Sequence, residues 1–178
     1  MKQITMKGIF RLAGGLLNRL GYSNEYIESH YAEWSSAEKK SHNDYIWYLF
    51  NRALNNVDGL SVEQVFEKNS HIYYAMGLFV HKYENGNRNM YTRLAFEADL
   101  LKYIEQSSNS KLQYIVEIIG SKGCDYALSL DGQKLSPEEM FDWQPLASKD
   151  CTNCQGCTCT YSMTVKRDRN GKIIYKTT

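Results

Sequence analysis

Along the first 107 residues, apolar side chains recur at helical spacing. Phe10, Leu16, Leu17 and Leu20 fall near one face of a first helix, which Gly14 and Gly15 weaken. A short segment from Asn24 to about Trp34 follows, with Ser23 as its cap. Ser35 then opens a clearer helix, with Glu38 three residues on completing a capping box. Its apolar positions are Tyr45, Ile46, Leu49, Phe50, Ala53 and Leu54, and it runs down to Asn55-Asn56. "VDGLS" breaks the chain. Ser61 with Gln64 caps the next helix, whose core face is Val62, Val65, Phe66, Ile72, Tyr73, Met76, Phe79 and Val80. "ENGNRN" is a turn by composition. A last long helix covers about Asn89 to Gln106, with Leu94, Leu101 and Ile104 facing inward.

The pattern then changes. Leu112 to Ile119 ("LQYIVEII") is rich in β-branched residues and bounded by Ser and Gly, which predicts a strand. "DYALSL" reads as a second strand, followed at once by the turn signal Asp131-Gly132. "SPEEMFDW" carries Ser136 at the N-cap, Pro137 at the first helical position and Glu139 two residues later, the signature of a short helix. "YSMTVKR" and "KIIYKT" flank "DRNG", and Asn170-Gly171 between two such runs predicts a hairpin. The expected fold class is therefore α+β. A helical bundle over residues 1–108 precedes a small β-containing module over 109–178.

Composition changes this picture little. With 178 residues and 43% hydrophobic content, the chain can bury a real core. A formal net charge of +1 creates no global field toward nucleic acid or membrane. The 14 tyrosines suit half-buried helix faces. No stretch reaches the roughly 18 apolar residues of a membrane span. Arg11 interrupts the apolar N-terminal stretch, which reads as an amphipathic helix rather than a signal peptide. The expected compartment is cytoplasmic and reducing, where clustered cysteines favour metal over disulfides.

The candidate chemistry lies in the thiols. Cys151, Cys154, Cys157 and Cys159 are spaced C-x2-C-x2-C-x-C, and Cys124 is the fifth cysteine. Four thiolates in a tetrahedron suit a structural zinc, which leaves no open position for hydrolysis. Gly156 gives the backbone freedom just before Cys157. The competing readings are an iron–sulfur cluster, disulfides or a redox switch, and free thiols. The iron–sulfur spacing departs from the bacterial ferredoxin run, which ends C-x3-C-P. Five is an odd number for disulfides. Cys124 is either a buried small hydrophobe or a ligand that closes the site, and spacing does not say which four of the five would bind.

The run "YIVEIIGSKGCDYALSLDGQKLS … MFDWQPLASKDCTNCQGCTCTY" resembles the C-terminal cysteine module of phage minor head, or head-morphogenesis, proteins. That family's pattern is a strand, a Cys-x2-Cys pair, Leu-Asp-Gly with a basic residue, a proline stretch, then His-x2-Cys-x-Cys. Cys124 stands at the first cysteine, Leu130-Asp131-Gly132 with Lys134 at the Leu-Asp-Gly, Pro145-Leu146 at the proline stretch and Cys157-Thr158-Cys159 at the closing pair. Cys154 falls at the histidine, a swap zinc accepts. Ala127 occupies the second cysteine's place, leaving Cys151 to compensate, and Thr158 replaces the usual arginine. The resemblance implies a metal-stapled module without known catalysis, in a phage or phage-like host protein.

No catalytic residue is assigned. The four histidines, His30, His42, His71 and His81, all precede Leu112, so a nuclease built on the cysteine module would lack its general base. Walker, G-x-G-x-x-G and G-x-S-x-G motifs are absent from the sequence. Glu138-Glu139 suit the first turn of the short helix. The expected function is a non-catalytic structural or interaction role with a structural zinc and a protein partner. The alternatives are a nucleic-acid-associated protein using the basic tail "VKRDRNGKIIYK", and an unrecognised hydrolase.

Overall fold

The computed structural model describes residues 7, 17–18, 21–38, 41–153 and 156–176. Of the first expected helix, Leu17 is described and is fully buried, whereas Phe10, Leu16 and Leu20 lie outside the described residues. Four helices then follow: α1 (Asn24–Glu38), α2 (His42–Asn55), α3 (Val62–Tyr83) and α4 (Asn89–Ser108). The C-terminal part holds β1 (Tyr114–Ile119), α5 (Asp125–Ser129), β2 (Lys134–Leu135), α6 (Pro137–Trp143) and β3 (Thr160–Val165). The α+β class expected from the sequence is what the chain adopts.

Short polar side chains set the helix starts. Ser23 Oγ accepts from the Tyr26 N–H at 3.1 Å and caps α1. Ser61 and Gln64 form the expected capping box on α3. The start expected at Ser35 is not a start, because Ser35 lies inside α1. The break comes later, and Ser41 with Asp44 makes the box that opens α2. An acidic or amide side chain three residues after a serine occurs at both places, and local sequence does not rank them.

The helical core buries Leu17, Ile27, Tyr45, Ile46, Leu49, Phe50, Ala53, Ile72, Met76 and Phe79. Tyrosines border it as half-buried walls, among them Tyr26, Tyr31, Tyr48, Tyr73 and Tyr83. Tyr45 is fully buried, and its hydroxyl donates to the Ile27 carbonyl at 3.2 Å. On α3 the expected core face is trimmed at its start, since Val62 is 54% exposed.

Helix α4 packs on α3 with one side and on α6 and β3 with another. That double duty moves its buried face. Ala95, Phe96, Ala98 and Leu100 are buried, whereas Leu94, Leu101 and Ile104, expected inward, are only half-buried. Phe96 stands between the two parts. Its ring lies 5.9 Å from Tyr74 of α3 and 5.2 Å from Tyr161 of β3, both edge-on.

The sheet is three-stranded and antiparallel, ordered β2-β1-β3. Val116 and Ile118 of β1 pair with Met163 and Tyr161 of β3 and point toward α4, joining Phe96, Leu100, Met140 and Leu146 in a second core. "DYALSL", expected as a strand, is instead the single-turn helix α5. A strand would place Tyr126, Leu128 and Leu130 on one face, but Leu128 is 42% exposed while Ala127 is buried. The turn that follows folds back, so that Asp131 Oδ1 accepts from the Gly120 N–H at 2.6 Å. Helix α6 begins as expected, with Ser136 and Glu139 in a capping box and Pro137 beside it. The tail turns at Asn170-Gly171. Arg167 bridges to Ile173, and Tyr175 bridges back to Leu112 ahead of β1.

Candidate metal centre

Four of the five candidate ligands are described, and they sit on three different supports. Cys124 caps α5 in extended backbone, between the end of β1 and the helix turn. Cys151 follows a turn in which its N–H donates to the Ser148 carbonyl at 3.2 Å. Cys157 and Cys159 lie in the extended run entering β3. Cys124, Cys157 and Cys159 are buried and Cys151 is half-buried. Cys154 lies outside the described residues.

The fold brings distant thiols together. Cys124 Sγ donates toward Cys151 Sγ at 3.6 Å across a separation of 27 residues. A disulfide spans about 2.05 Å, and all four described thiols are free. Four sulfurs placed about 2.3 Å from one zinc stand about 3.8 Å from each other, close to that separation. Cys157 and Cys159 lie close enough for each thiol to influence the ionisation of the other. Cys159 also lies within electrostatic reach of both Cys124 and Cys151.

Nearby backbone groups favour the charged form of each described sulfur: those of Ala127 and Thr152 at Cys124, and that of Asn153 at Cys151. The backbone of Cys159 and Ala147 acts in this way on Cys157, and that of Ser121 on Cys159. Burial works against that charge. It pushes the thiol of Cys151 up to about 11, helped by the neighbouring Cys124, and raises Cys157 and Cys159. At Cys124 burial also opposes ionisation, but its donors outweigh it and hold the thiol below the ordinary value. Thiol donors suit a thiophilic cation in kind. Among the described residues, no group of three or more His, Cys, Asp or Glu side chains is placed to hold a metal ion.

Residues outside the cysteine pattern shape the loop, and sequence reasoning missed them. The Arg88 Nη2 group donates to the carbonyls of Gly156 and Cys157, each at 3.1 Å. Asn89 Oδ1 accepts from the Cys157 N–H at 2.8 Å. Gly156 has φ +92°, and a Cβ there would run into the Arg88 side chain, so glycine is required twice over. Thr158 Oγ1 donates to Ser121 Oγ at 2.7 Å, tying the loop to the turn before Cys124. Ala147, whose backbone favours the charged form of Cys157, is held at φ +53°, an unusual place for a residue with a Cβ. In the sequence these residues carried no signal beyond Gly156, because their roles depend on α4 meeting the loop.

The histidines do not join the site. His71 and His81 are exposed on α3. His30 and His42 are half-buried and stack on Tyr26 and Tyr31 respectively. Lys134, Lys166, Arg167 and Lys176 line a groove of about 570 Å³ with Glu138 and Glu139. Among the described residues, no helix is long and apolar enough to cross a membrane. In comparisons with protein-family models, curated proteins and solved structures, nothing matches the chain.

Proposed function

We propose that the chain is a non-catalytic interaction protein whose C-terminal module is held by one structural zinc. Cys124 and Cys151 are ligands, and Cys154, Cys157 and Cys159 supply the other two. One observation carries the reading: two unbonded thiols 27 residues apart lie at 3.6 Å, close to the edge of a zinc–thiolate tetrahedron. Zinc would supply no reaction here. Bound by four thiolates, it lends its binding energy to folding. A reducing, cytoplasmic setting suits four free thiols. The order Cys124, Leu130-Asp131-Gly132, Pro145 and Cys157-x-Cys159 supports a protein partner of the head-morphogenesis kind.

Zinc analysis of single-cysteine variants tests this. Cys124→Ser and Cys151→Ser each abolish stoichiometric zinc. Retention of zinc in either variant contradicts the reading.

A second reading rests on the groove at the base of the tail, where Lys166, Arg167 and Lys176 could meet nucleic-acid phosphates. Lys134 is already paired with Glu117 at 3.3 Å, and Glu138 and Glu139 add opposing charge. A gel shift that weakens steeply with salt would favour this reading, and its absence at low salt would remove it.

A further inference from the structure

The first turn of α4 and the cysteine loop are 68 and 69 residues apart, yet they share three hydrogen bonds. Arg88 holds the carbonyls of Gly156 and Cys157, and Asn89 holds the N–H of Cys157. The peptide entering Cys157 and the one leaving it are therefore both fixed from the helical part. That sets the direction of the Cys157 Cα–Cβ bond. Gly156 itself sits in the left-handed region and has no side chain to add to that hold.

Arg88 is also oddly placed for a cation. It is half-buried, and its Nε is buried without a hydrogen-bond partner. Among the described residues, it meets backbone carbonyls and no carboxylate. A buried guanidinium normally pairs with negative charge. Thiols able to carry such charge share a cleft with it: Arg88, Cys157 and Cys159 line one cleft of about 370 Å³ together with Tyr74, Leu78 and Thr92. A divalent ion bound by four thiolates has a net charge of about −2, which would complement the guanidinium.

We infer that Arg88, with Asn89, is the positioning residue of the metal centre: it fixes Cys157 through the loop carbonyls and balances the negative charge of the loaded site. The inference rests on the zinc reading above. It makes the start of α4 part of the centre and couples metal loading to the helical part. Hydrogen-bonded partners outside the ligand set orient metal ligands in the same way, and their loss typically costs 10–100-fold in affinity.

The test uses the full chain. Zinc affinity is measured by competition with a chromophoric chelator. Cobalt(II) is then added to apo-protein, and its d–d and sulfur-to-metal charge-transfer bands are recorded. For Arg88→Gln, which keeps hydrogen bonding but not charge, zinc affinity is expected to fall about 10–100-fold, with the cobalt bands shifted. Arg88→Lys, which keeps the charge, is expected to recover part of that loss. Asn89→Ala, which leaves the charge in place, is expected to fall about 10-fold and serves if Arg88→Gln does not fold. A purely structural role would lower the melting temperature of apo-protein and leave affinity and bands unchanged. That outcome, or Lys behaving no better than Gln, overturns the inference while the zinc reading stands. If the unaltered chain binds neither zinc nor cobalt, both fall.

Discussion

The helical core and the module core bury similar side chains at their centres but close at their margins by different means. The first is bounded by aromatic rings. Trp47 packs edge-on against Phe50 and Phe79 at 5.9 and 5.5 Å, and Tyr31 meets Tyr45 at 5.0 Å. The second buries Val116, Ile118, Met140 and Leu146 beside three thiols, under a sheet whose strand β2 has two residues. A three-stranded sheet and two short helices bury little apolar area on their own. One core can hold itself by apolar burial, while on the proposed reading the other is completed by a zinc bound to its thiols. Helix α4 belongs to both, which gives the module a wall it does not build itself.

The comparison can be broken most directly by metal removal. A strong zinc chelator is expected to collapse amide-exchange protection in β1, β3 and α6 while α2 and α3 stay protected. Structural zinc contributes apparent binding free energies of about 10–16 kcal/mol in small modules, so this is the largest effect. Uniform loss in both parts, or none, would show that the cores are not held differently. Next in size, Phe79→Ala should cost about 3–5 kcal/mol in denaturant unfolding yet leave zinc stoichiometry unchanged. A concurrent loss of metal would mean that the helical core supports the centre more than the account allows. Gly156→Ala should cost about 1–3 kcal/mol, from positive φ and the collision with Arg88, and should lower zinc affinity. Unchanged affinity would detach the loop's backbone from the site.

Smaller effects sharpen the helical side. Ser61→Ala removes the α3 cap and should cost about 1 kcal/mol by thermal unfolding, with no change in metal content. Asp99 adds a pH dependence of known sign. Burial raises its carboxyl above the usual range, against a hydrogen bond from Ser70 and the charge of Lys102. The folded state therefore holds the proton more tightly than the unfolded state. That favourable difference is full below the unfolded value of about 3.9 and is lost as pH rises through the folded one. Asp99→Asn is expected to stabilise the protein relative to the unaltered chain near neutral pH, with the advantage fading below about pH 4. A constant difference across pH would assign the effect to packing.

Much of this architecture was legible wherever a single local rule had no competitor. Ser61 with Gln64, Ser136 with Pro137 and Glu139, and Asn170-Gly171 each satisfied backbone groups as their spacing required. Reading failed where two local signals competed or a distant element decided. Ser35 and Ser41 offer similar boxes, and the real break is at Ser41. "DYALSL" alternates like a strand, but a chain returning from β1 with Cys124 buried has room for one helical turn. The face of α4 was misjudged because two layers pack on it. For the site, the thiols were visible as a cluster in sequence. Their company was not, because Arg88, Asn89 and Ala147 become neighbours of Cys157 only after α4 and the loop have met.

Metal analysis of the full chain, purified without chelator, paired with titration of its five cysteines, weighs the central claim most directly. The account expects about one zinc per chain, with one cysteine reactive toward a thiol reagent and the other four slow until a chelator is added. Zinc near zero, with every thiol reacting at once, would contradict it.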